Sequence, residues 1–327
     1  MLKIGVLGAG HLGKIHLRLI KEISDYELVG FFDADDSQAI SAEKELGVKR
    51  FADMNELIDN ADVVDIVTPT LSHFDCAVSA IKKSKHVFIE KPLANTQDEA
   101  RQLIQLAKEA DIKATVGHTE RFNPAFLALS GMELHPMFIE AHCLAQFNPR
   151  GKDFSVVLDL MIHDLDIILS IVKSNVKKIS ASGVAICSNT PDIVNARIEF
   201  DNGCVANVTC SRIAMKQMRK IRLFQKNEYI IMDLLEKTTE IFRMPDVSEE
   251  KPNAFTIDTG MNREKKAISY EKLGDTKINS IKMELEMLNQ CIREGSEPRT
   301  SLMDGYNAMQ VACQVLQVIE KNKTGEQ

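Results

Sequence analysis

The sequence predicts two domains of different class. The first is an α/β domain with a doubly wound parallel sheet, and the second an α+β domain with an open, mostly antiparallel sheet. Three observations carry this. Strand-like and helix-like stretches alternate from Lys3 to Gly117, and the first strand runs straight into Gly8, Gly10 and Gly13. From Met137 the order changes to a succession of strand-like runs. A chain of 327 residues is also long enough for two domains, with the break expected at residue 120, giving 1–120 and 121–327.

Ile4, Val6 and Leu7 form the short apolar run of a buried parallel strand. The glycines that follow fit G-x-G-x-x-G, where they serve a tight turn, close backbone approach to a pyrophosphate, and close helix–strand packing. From Leu12 the pattern turns helical, so the helix start, with its free N–H groups and positive dipole end, points at the phosphates. His11 and Leu12 lie in that first turn. Tyr26 to Phe32 reads as a second strand ended by Asp33, 20 positions past Gly13 (33 − 13). An acid there accepts hydrogen bonds from the adenosine ribose hydroxyls. It also repels a 2′-phosphate, which favours NAD over NADP, although Ser37 and Lys44 are near enough in sequence to meet a phosphate. Glycines that only make a tight turn are the plainer alternative. Strand, glycine turn, helix, strand and acid in this order favour a cofactor site.

Ser37 to Leu46 is a helix closed by Gly47, and Phe51 and Asn55 to Ile58 suit a short strand and a helical turn. Val63 to Thr68 is a strand, apolar but for Asp65 and stopped by Pro69. Loops after strand C-termini line the cofactor crevice, which puts Thr68, Pro69, Thr70 and His73 near the nicotinamide half. His73 reads equally well as a helix-start residue with no chemistry. Asp75 to Lys83 is the next helix, and the strand His86 to Ile89 ends in Glu90-Lys91-Pro92. A lysine at a strand tip faces the crevice, and the proline suits a cis peptide. Thr96 caps a helix through Lys108, and Lys113 to Gly117 is one more strand.

Beyond His118 come a strand from Met137 to Phe147, a basic loop from Pro149 to Lys152, and an apolar helix from Val156 to Val172. Strands follow at Lys178–Ile186, Ile193–Phe200, Val205–Ser211, Arg219–Phe224 and Tyr229–Asp233, with Asp201-Asn202-Gly203 as a hairpin turn. Ser248 to Asn262 is expected to be a loop, Ile278–Arg293 and Ser301–Ile319 are helices, and the polar tail from Lys321 is expected to fray. Inside the apolar helix Asp159 and His163 are four apart (163 − 159) and share a face, which Asp166 can join while Asp164 points elsewhere. A histidine between carboxylates is either a satisfied structural residue or a tuned acid–base. A cofactor site upstream favours the second, because hydride transfer from a hydroxyl needs a base.

Composition narrows the field further. Hydrophobic residues make up 44% and charged residues 27%, and the net charge of −7 argues against nucleic acid as a main partner. No run of 18 apolar residues exists, and the N-terminus enters a strand directly, so neither a transmembrane helix nor a signal peptide is expected. Seven scattered cysteines without a C-x-x-C read as reduced thiols of a cytoplasmic protein, and no metal cluster is visible.

The stretches G-A-G-H-L-G, T-P-T-L-S-H, K-H-V-F-I-E-K-P-L-A, R-F-N-P and D-L-M-I-H-D-L-D occur in this order. Together they resemble the glucose–fructose oxidoreductase/inositol dehydrogenase (Gfo/Idh/MocA) family over nearly the whole chain. The resemblance implies a Rossmann domain binding NAD or NADP, then a substrate-binding and oligomerisation domain, with the substrate between them. It implies a dehydrogenase acting on a secondary hydroxyl, assembled as a homodimer or homotetramer through exposed sheet faces. By the same resemblance Lys91 and His163 are catalytic with Asp159 as their partner, and Glu90 and Lys91 lie at the cofactor. Phe154 to Leu158 stand where the family often has small glycines, which can alter the sugar pocket. The stretch G-H-T-E-R-F-N-P, Gly117 to Pro124, resembles the form found in UDP-N-acetylglucosamine 3-dehydrogenases of that family. It points to Arg121, Asn123, Arg150 and Lys152 as substrate residues, since cations suit a diphosphate. The opposing reading of Arg121 is an ion pair with an acidic neighbour. Two other functions stay open: a free sugar or polyol such as inositol as substrate, and a cofactor-binding sensor without turnover.

Overall fold

The computed structural model describes residues 1–147, 155–244, 255–258, 265–274 and 277–324. They group into two compact units, Met1–Phe122 with Asn279–Gln310, and Asn123–Ile278 with Val311–Gln327. The return of residues 279–310 to the first unit is a long-range pairing that sequence order does not announce. Its cause is apolar: Leu285 and Leu288 are buried in the same cluster as Ile4, Val6, Leu17 and Phe31.

The first unit holds β1 (Leu2–Leu7), α1 (His11–Lys21), β2 (Tyr26–Phe32), α2 (Asp36–Leu46), α3 (Met54–Asn60), β3 (Val63–Ile66), α4 (His73–Ile81), β4 (His86–Glu90), α5 (Gln97–Glu109) and β5 (Ala114–Gly117). Its sheet runs β2-β1-β3-β4-β5 with every pair parallel. Buried on both faces, β3 is closed to water along its whole length, which makes Asp65 an acid in the core whose pKa burial raises against the pull of His16. The helix ends follow their local chemistry. Asp35 caps α2 through the Ser37 and Gln38 N–H groups, and Gly47 closes it in a left-handed conformation. Thr96 and Glu99 form a reciprocal capping box on α5. Phe51 lies in no strand; a single bridge joins Arg50 to Phe31.

The second unit begins with α6 (Pro124–Leu127) and β6 (Phe138–Leu144), followed by a π turn (Val157–Met161) and α7 (Ile162–Val172). Eight strands follow: β7 (Val176–Val184), β8 (Ile193–Phe200), β9 (Val205–Ser211), β10 (Met218–Gln225), β11 (Glu228–Asp233), β12 (Thr238–Arg243), β13 (Phe255–Asp258) and β14 (Lys265–Leu273). They form a nine-stranded sheet ordered β13-β14-β12-β11-β10-β6-β9-β8-β7, antiparallel except for the β6–β9 pair. Alternation sorts its two faces. Ile139, Ala141, Val208, Cys210, Ile221, Leu223, Ile230, Met232 and Ile241 are buried with Leu165 and Ile168 of α7. The opposite face carries a row of half-buried aromatics, Phe138, Phe224, Tyr229, Phe242 and Tyr270, with neighbouring ring centroids 4.7–5.9 Å apart.

Three strands depart from the sequence expectation. β12 and β14 are polar on one face and short of apolar residues, so their period-2 signal is weak, and only pairing reveals them. β13 lies inside the stretch expected to be a loop and pairs with β14. At the chain end α8 (Ser280–Glu294) precedes α9 (Leu302–Thr324), which continues into the tail expected to fray. No helix among the described residues is long and apolar enough to cross a membrane.

Candidate active site

In the first unit the chemistry gathers at the C-terminal ends of β1, β3 and β4. Gly8 has φ +97°, and a methyl group built on it would lie 2.6 Å from the Val67 carbonyl oxygen. Gly13 is tighter still: a methyl there would sit 2.1 Å from the Gly8 carbonyl oxygen. These two glycines are demanded by the protein's own packing. Gly10 is not, because its nearest obstacle, Gln38 Oε1, is 3.4 Å away. It stands at the start of α1, where no side chain caps the helix. An uncapped helix start beside a glycine that the fold does not require fits a dinucleotide pyrophosphate on backbone N–H groups. His11 is exposed and Leu12 half-buried in that first turn.

Asp33 follows β2, and its carboxylate is already oriented. One oxygen accepts the Ala9 N–H at 2.6 Å and the other the Asp35 N–H at 2.8 Å. Each carboxylate oxygen accepts more than one bond, so ribose hydroxyls can still be received. The acid thereby ties the end of β2 to the glycine turn.

The loops after β3 and β4 are joined by His73. It is buried, with Nε2 2.9 Å from the Thr68 carbonyl and Nδ1 2.9 Å from that of Pro92. Burial lowers its pKa, against the pull of those carbonyls. His73 is therefore the first residue of α4 and lies between the Thr68-Pro69 loop and the lysine loop, where the neutral ring donates to one of the two carbonyls. Lys91 is half-buried just past β4, its peptide bond to Pro92 is cis, and its N–H donates to Glu90 Oε2 at 3.1 Å.

A group the sequence reading missed lies beneath that loop. His16 of α1 is fully buried, with Nδ1 2.9 Å from Asp65 Oδ2 and Nε2 3.4 Å from Glu90 Oε1. Burial alone would lower the imidazole pKa, but Asp65 and Glu90 override it and raise it to about 10. Asp65 was the available signal: a lone acid in an apolar strand has to find a partner.

The proposed substrate residues are placed differently. Arg121 is 7% exposed and 3.5 Å from Asp304 within the first unit, so it has the acidic neighbour of the opposing reading. Asn123, in the second unit, is 4% exposed. Its Oδ1 caps α6 by accepting the Ala125 N–H, and its Nδ2 donates to the Leu234 carbonyl. Arg150 and Lys152 lie outside the described residues.

In the second unit Asp159 is exposed on the π turn and His163 half-buried in the first turn of α7. The wider π turn shifts the helical register, so the spacing of four does not by itself put both on one face. Such turns occur often at functional sites. Asp164 and Asp166 are both buried, and the charge of Asp164 helps burial raise the Cys210 thiol.

A doubly wound parallel sheet with this glycine turn and a strand-end acid defines an NAD(P)-binding oxidoreductase. Residues 2–118 match the model for the oxidoreductase family with NAD-binding Rossmann fold, and residues 140–230 match that for the GFO/IDH/MocA C-terminal domain. The chain belongs to the Gfo/Idh/MocA oxidoreductase family. A UDP-N-acetylglucosamine 3-dehydrogenase of Acidithiobacillus ferrooxidans is 36% identical over 74% of this chain and 77% of its own. A solved structure of that dehydrogenase superimposes with a TM-score of 0.87 at 30% identity, covering 98% of each chain. A myo-inositol 2-dehydrogenase of Thermotoga maritima is 24% identical over 99% of this chain and 98% of its own.

Proposed function

We propose that the protein oxidises a secondary hydroxyl of a nucleotide-linked sugar, UDP-N-acetylglucosamine at C3, to the ketone with NAD as hydride acceptor. The observation that carries this is the similarity to the UDP-N-acetylglucosamine 3-dehydrogenase along most of both chains, with Lys91, Asp159 and His163 all present. The nicotinamide, when bound, supplies the carbon that accepts the hydride. His163 takes the hydroxyl proton, so that loss of hydride and proton leaves a carbonyl. Lys91 holds the substrate oxygen and stabilises the charge on it as the proton departs. Asp159 orients the imidazole and raises its basicity. Asp33 supports NAD over NADP, because a 2′-phosphate would meet a carboxylate at hydrogen-bond distance.

A free polyol such as inositol is the second reading. The burial of Arg121 against Asp304 favours it, because that leaves Arg150 and Lys152 as the cations for a diphosphate. NADH formation with UDP-N-acetylglucosamine, myo-inositol and glucose decides between them. Turnover of the nucleotide sugar with NAD, reduced about 10²–10⁴-fold in His163→Ala, is expected. Ready turnover of inositol or glucose with every UDP-sugar ignored would refute the nucleotide-sugar assignment. NAD binding without turnover across the whole panel would identify a sensor instead.

Assembly through the outer sheet face belongs to the same proposal. The row from Phe138 to Tyr270, flanked by the Arg222–Glu140 and Lys272–Glu240 ion pairs, suits a second copy of the same surface. Sedimentation equilibrium is expected to give a dimer or tetramer, and a monomer would refute it. All seven cysteines are unbridged, which supports a cytoplasmic location.

A further inference from the structure

Three strongly placed groups meet in the first unit: His16 and Asp65, which have no part in the chemistry above, and the Glu90 carboxylate. They come from three elements, α1, β3 and the end of β4, and meet where water does not reach, being 0%, 0% and 6% exposed. His16 stands between the two acids, and the Phe88 ring closes on it edge-on at 5.5 Å. A neutral imidazole has one N–H and would face two buried carboxylates with a single donor. An imidazolium carries an N–H on each nitrogen, one bonded to Asp65 and the other 3.4 Å from Glu90 Oε1, and leaves the cluster one net negative charge rather than two. Two uncompensated carboxylates in a closed core would cost several kcal/mol each.

The cluster leads to the lysine loop. Glu90 Oε1 faces His16, while Oε2 accepts the backbone N–H of Lys91. On its other side the Glu90 carboxyl group occupies space that a glycine leaves open. Gly117 pairs with Glu90 across β4 and β5, and a methyl group on it would lie 2.8–2.9 Å from all three carboxyl atoms. The carboxylate thus has a cation on one oxygen, a backbone donor on the other and a fitted surface beside it.

We propose that His16 is a positioning residue for Lys91: its imidazolium, anchored by Asp65, fixes the Glu90 carboxylate, which in turn fixes the start of the lysine loop. The helix whose first turn receives the pyrophosphate is thereby tied to the loop that carries the lysine. This rests on Lys91 acting as proposed above, but the backbone part can be measured without turnover.

The test uses the full-length protein labelled with 15N-lysine. In the wild type the Lys91 amide exchanges at least tenfold more slowly than an unprotected amide. An unprotected Lys91 amide in the wild type overturns the proposal, whatever the substrate. His16→Leu alone strands two buried acids and is expected to lose much of its thermal stability. His16→Leu with Asp65→Leu removes the ion pair as a unit, a change that is often neutral for stability. This double variant leaves only Glu90 without its cation, so it is expected to melt above His16→Leu and below the wild type and to bind NAD within about threefold, while Lys91 protection falls at least tenfold. In turnover kcat falls at least tenfold with KM changed less than threefold. Wild-type Lys91 exchange and wild-type kcat in the double variant would show that His16 only fills the core, and would overturn the proposal. A fall in NAD affinity as large as the fall in kcat overturns it too, since the residue would then act on cofactor binding.

Discussion

Gly10 and Gly13 stand three residues apart in one motif, and the structure separates what each is for. In Gly13→Ala the new methyl would meet the Gly8 carbonyl oxygen at 2.1 Å and its carbon at 2.8 Å. Both are backbone atoms, so no side chain can swing aside. Reaching even a tight 3.0 Å contact requires the α1 start and the glycine turn to part by about 0.9 Å (3.0 − 2.1). Overpacking of this kind costs about 1–3 kcal/mol, and a unit of this size loses about 2–4 °C of melting temperature per kcal/mol. Gly13→Ala is therefore expected to melt several degrees lower and to bind NAD weakly, because its helix start has moved. Gly10→Ala is different. Its methyl meets nothing closer than 3.4 Å, its φ of −64° suits alanine, and the melting temperature of the cofactor-free protein should fall by only a degree or two. If the helix start receives the pyrophosphate, the same methyl stands in its approach, and NAD affinity should fall about 10–100-fold, or roughly 1.4–2.7 kcal/mol. Thermal unfolding without cofactor and calorimetric titration with NAD measure the two effects separately. Gly10→Ala binding NAD within threefold of the wild type would refute the assignment of the helix start as the pyrophosphate site. Unchanged melting of Gly13→Ala would refute the packing account.

Two further outcomes follow from buried charges. Arg212 donates through Nε to the fully buried Asp192 at 2.9 Å, while Asp192 also accepts the N–H groups of Ile186, Cys187 and Ser188. Removing the cation in Arg212→Met leaves that acid uncompensated and should cost about 3–5 kcal/mol by denaturant unfolding, whereas a loss under 1 kcal/mol would show that the backbone donors suffice alone. The His16 cluster sets an alkaline limit. Its folded pKa near 10 lies above the unfolded 6.5, so its contribution is complete below pH 6.5 and is lost as pH rises towards 10. Asp65 and Glu90 face it, and Tyr26, whose phenol is pushed up by burial and by Asp65, adds to the loss above pH 10. Stability of the first unit should fall steadily from pH 7 to pH 10, and His16→Leu with Asp65→Leu should flatten that slope; equal slopes would refute the charged state of His16.

Much of the first unit was legible because its signals are local. A strand that enters glycines, a helix that starts without a cap and an acid at the next strand end are all set by neighbours in the chain. The strands Tyr26–Phe32, Ile193–Phe200 and Val205–Ser211 coincide with their sequence expectation because an apolar run in the first, alternation in the other two, and flanking polar or turn residues mark both ends. The lysine at the end of β4 and the histidine on the apolar helix were visible for the same reason. Partnership was not visible. Sequence left Arg121 as either a substrate cation or half of an ion pair, and only folding put it beside Asp304, 183 residues away. His16 looked like one more helical residue until Asp65 and Glu90 arrived from β3 and β4. The π turn under Asp159 breaks the four-residue spacing that a helical wheel assumes. β12 and β14 have too few apolar residues to announce themselves and exist because each offers the other a ladder of backbone bonds. Sequence alone determined the class of fold, the cofactor turn and the residue types available for chemistry, since those depend on periodicity and on short motifs. Tertiary structure alone decided which charges are buried, which acid each cation meets and which glycine is required by the fold. Those depend on atoms brought together from distant parts of the chain, where loss of water makes each pairing strong.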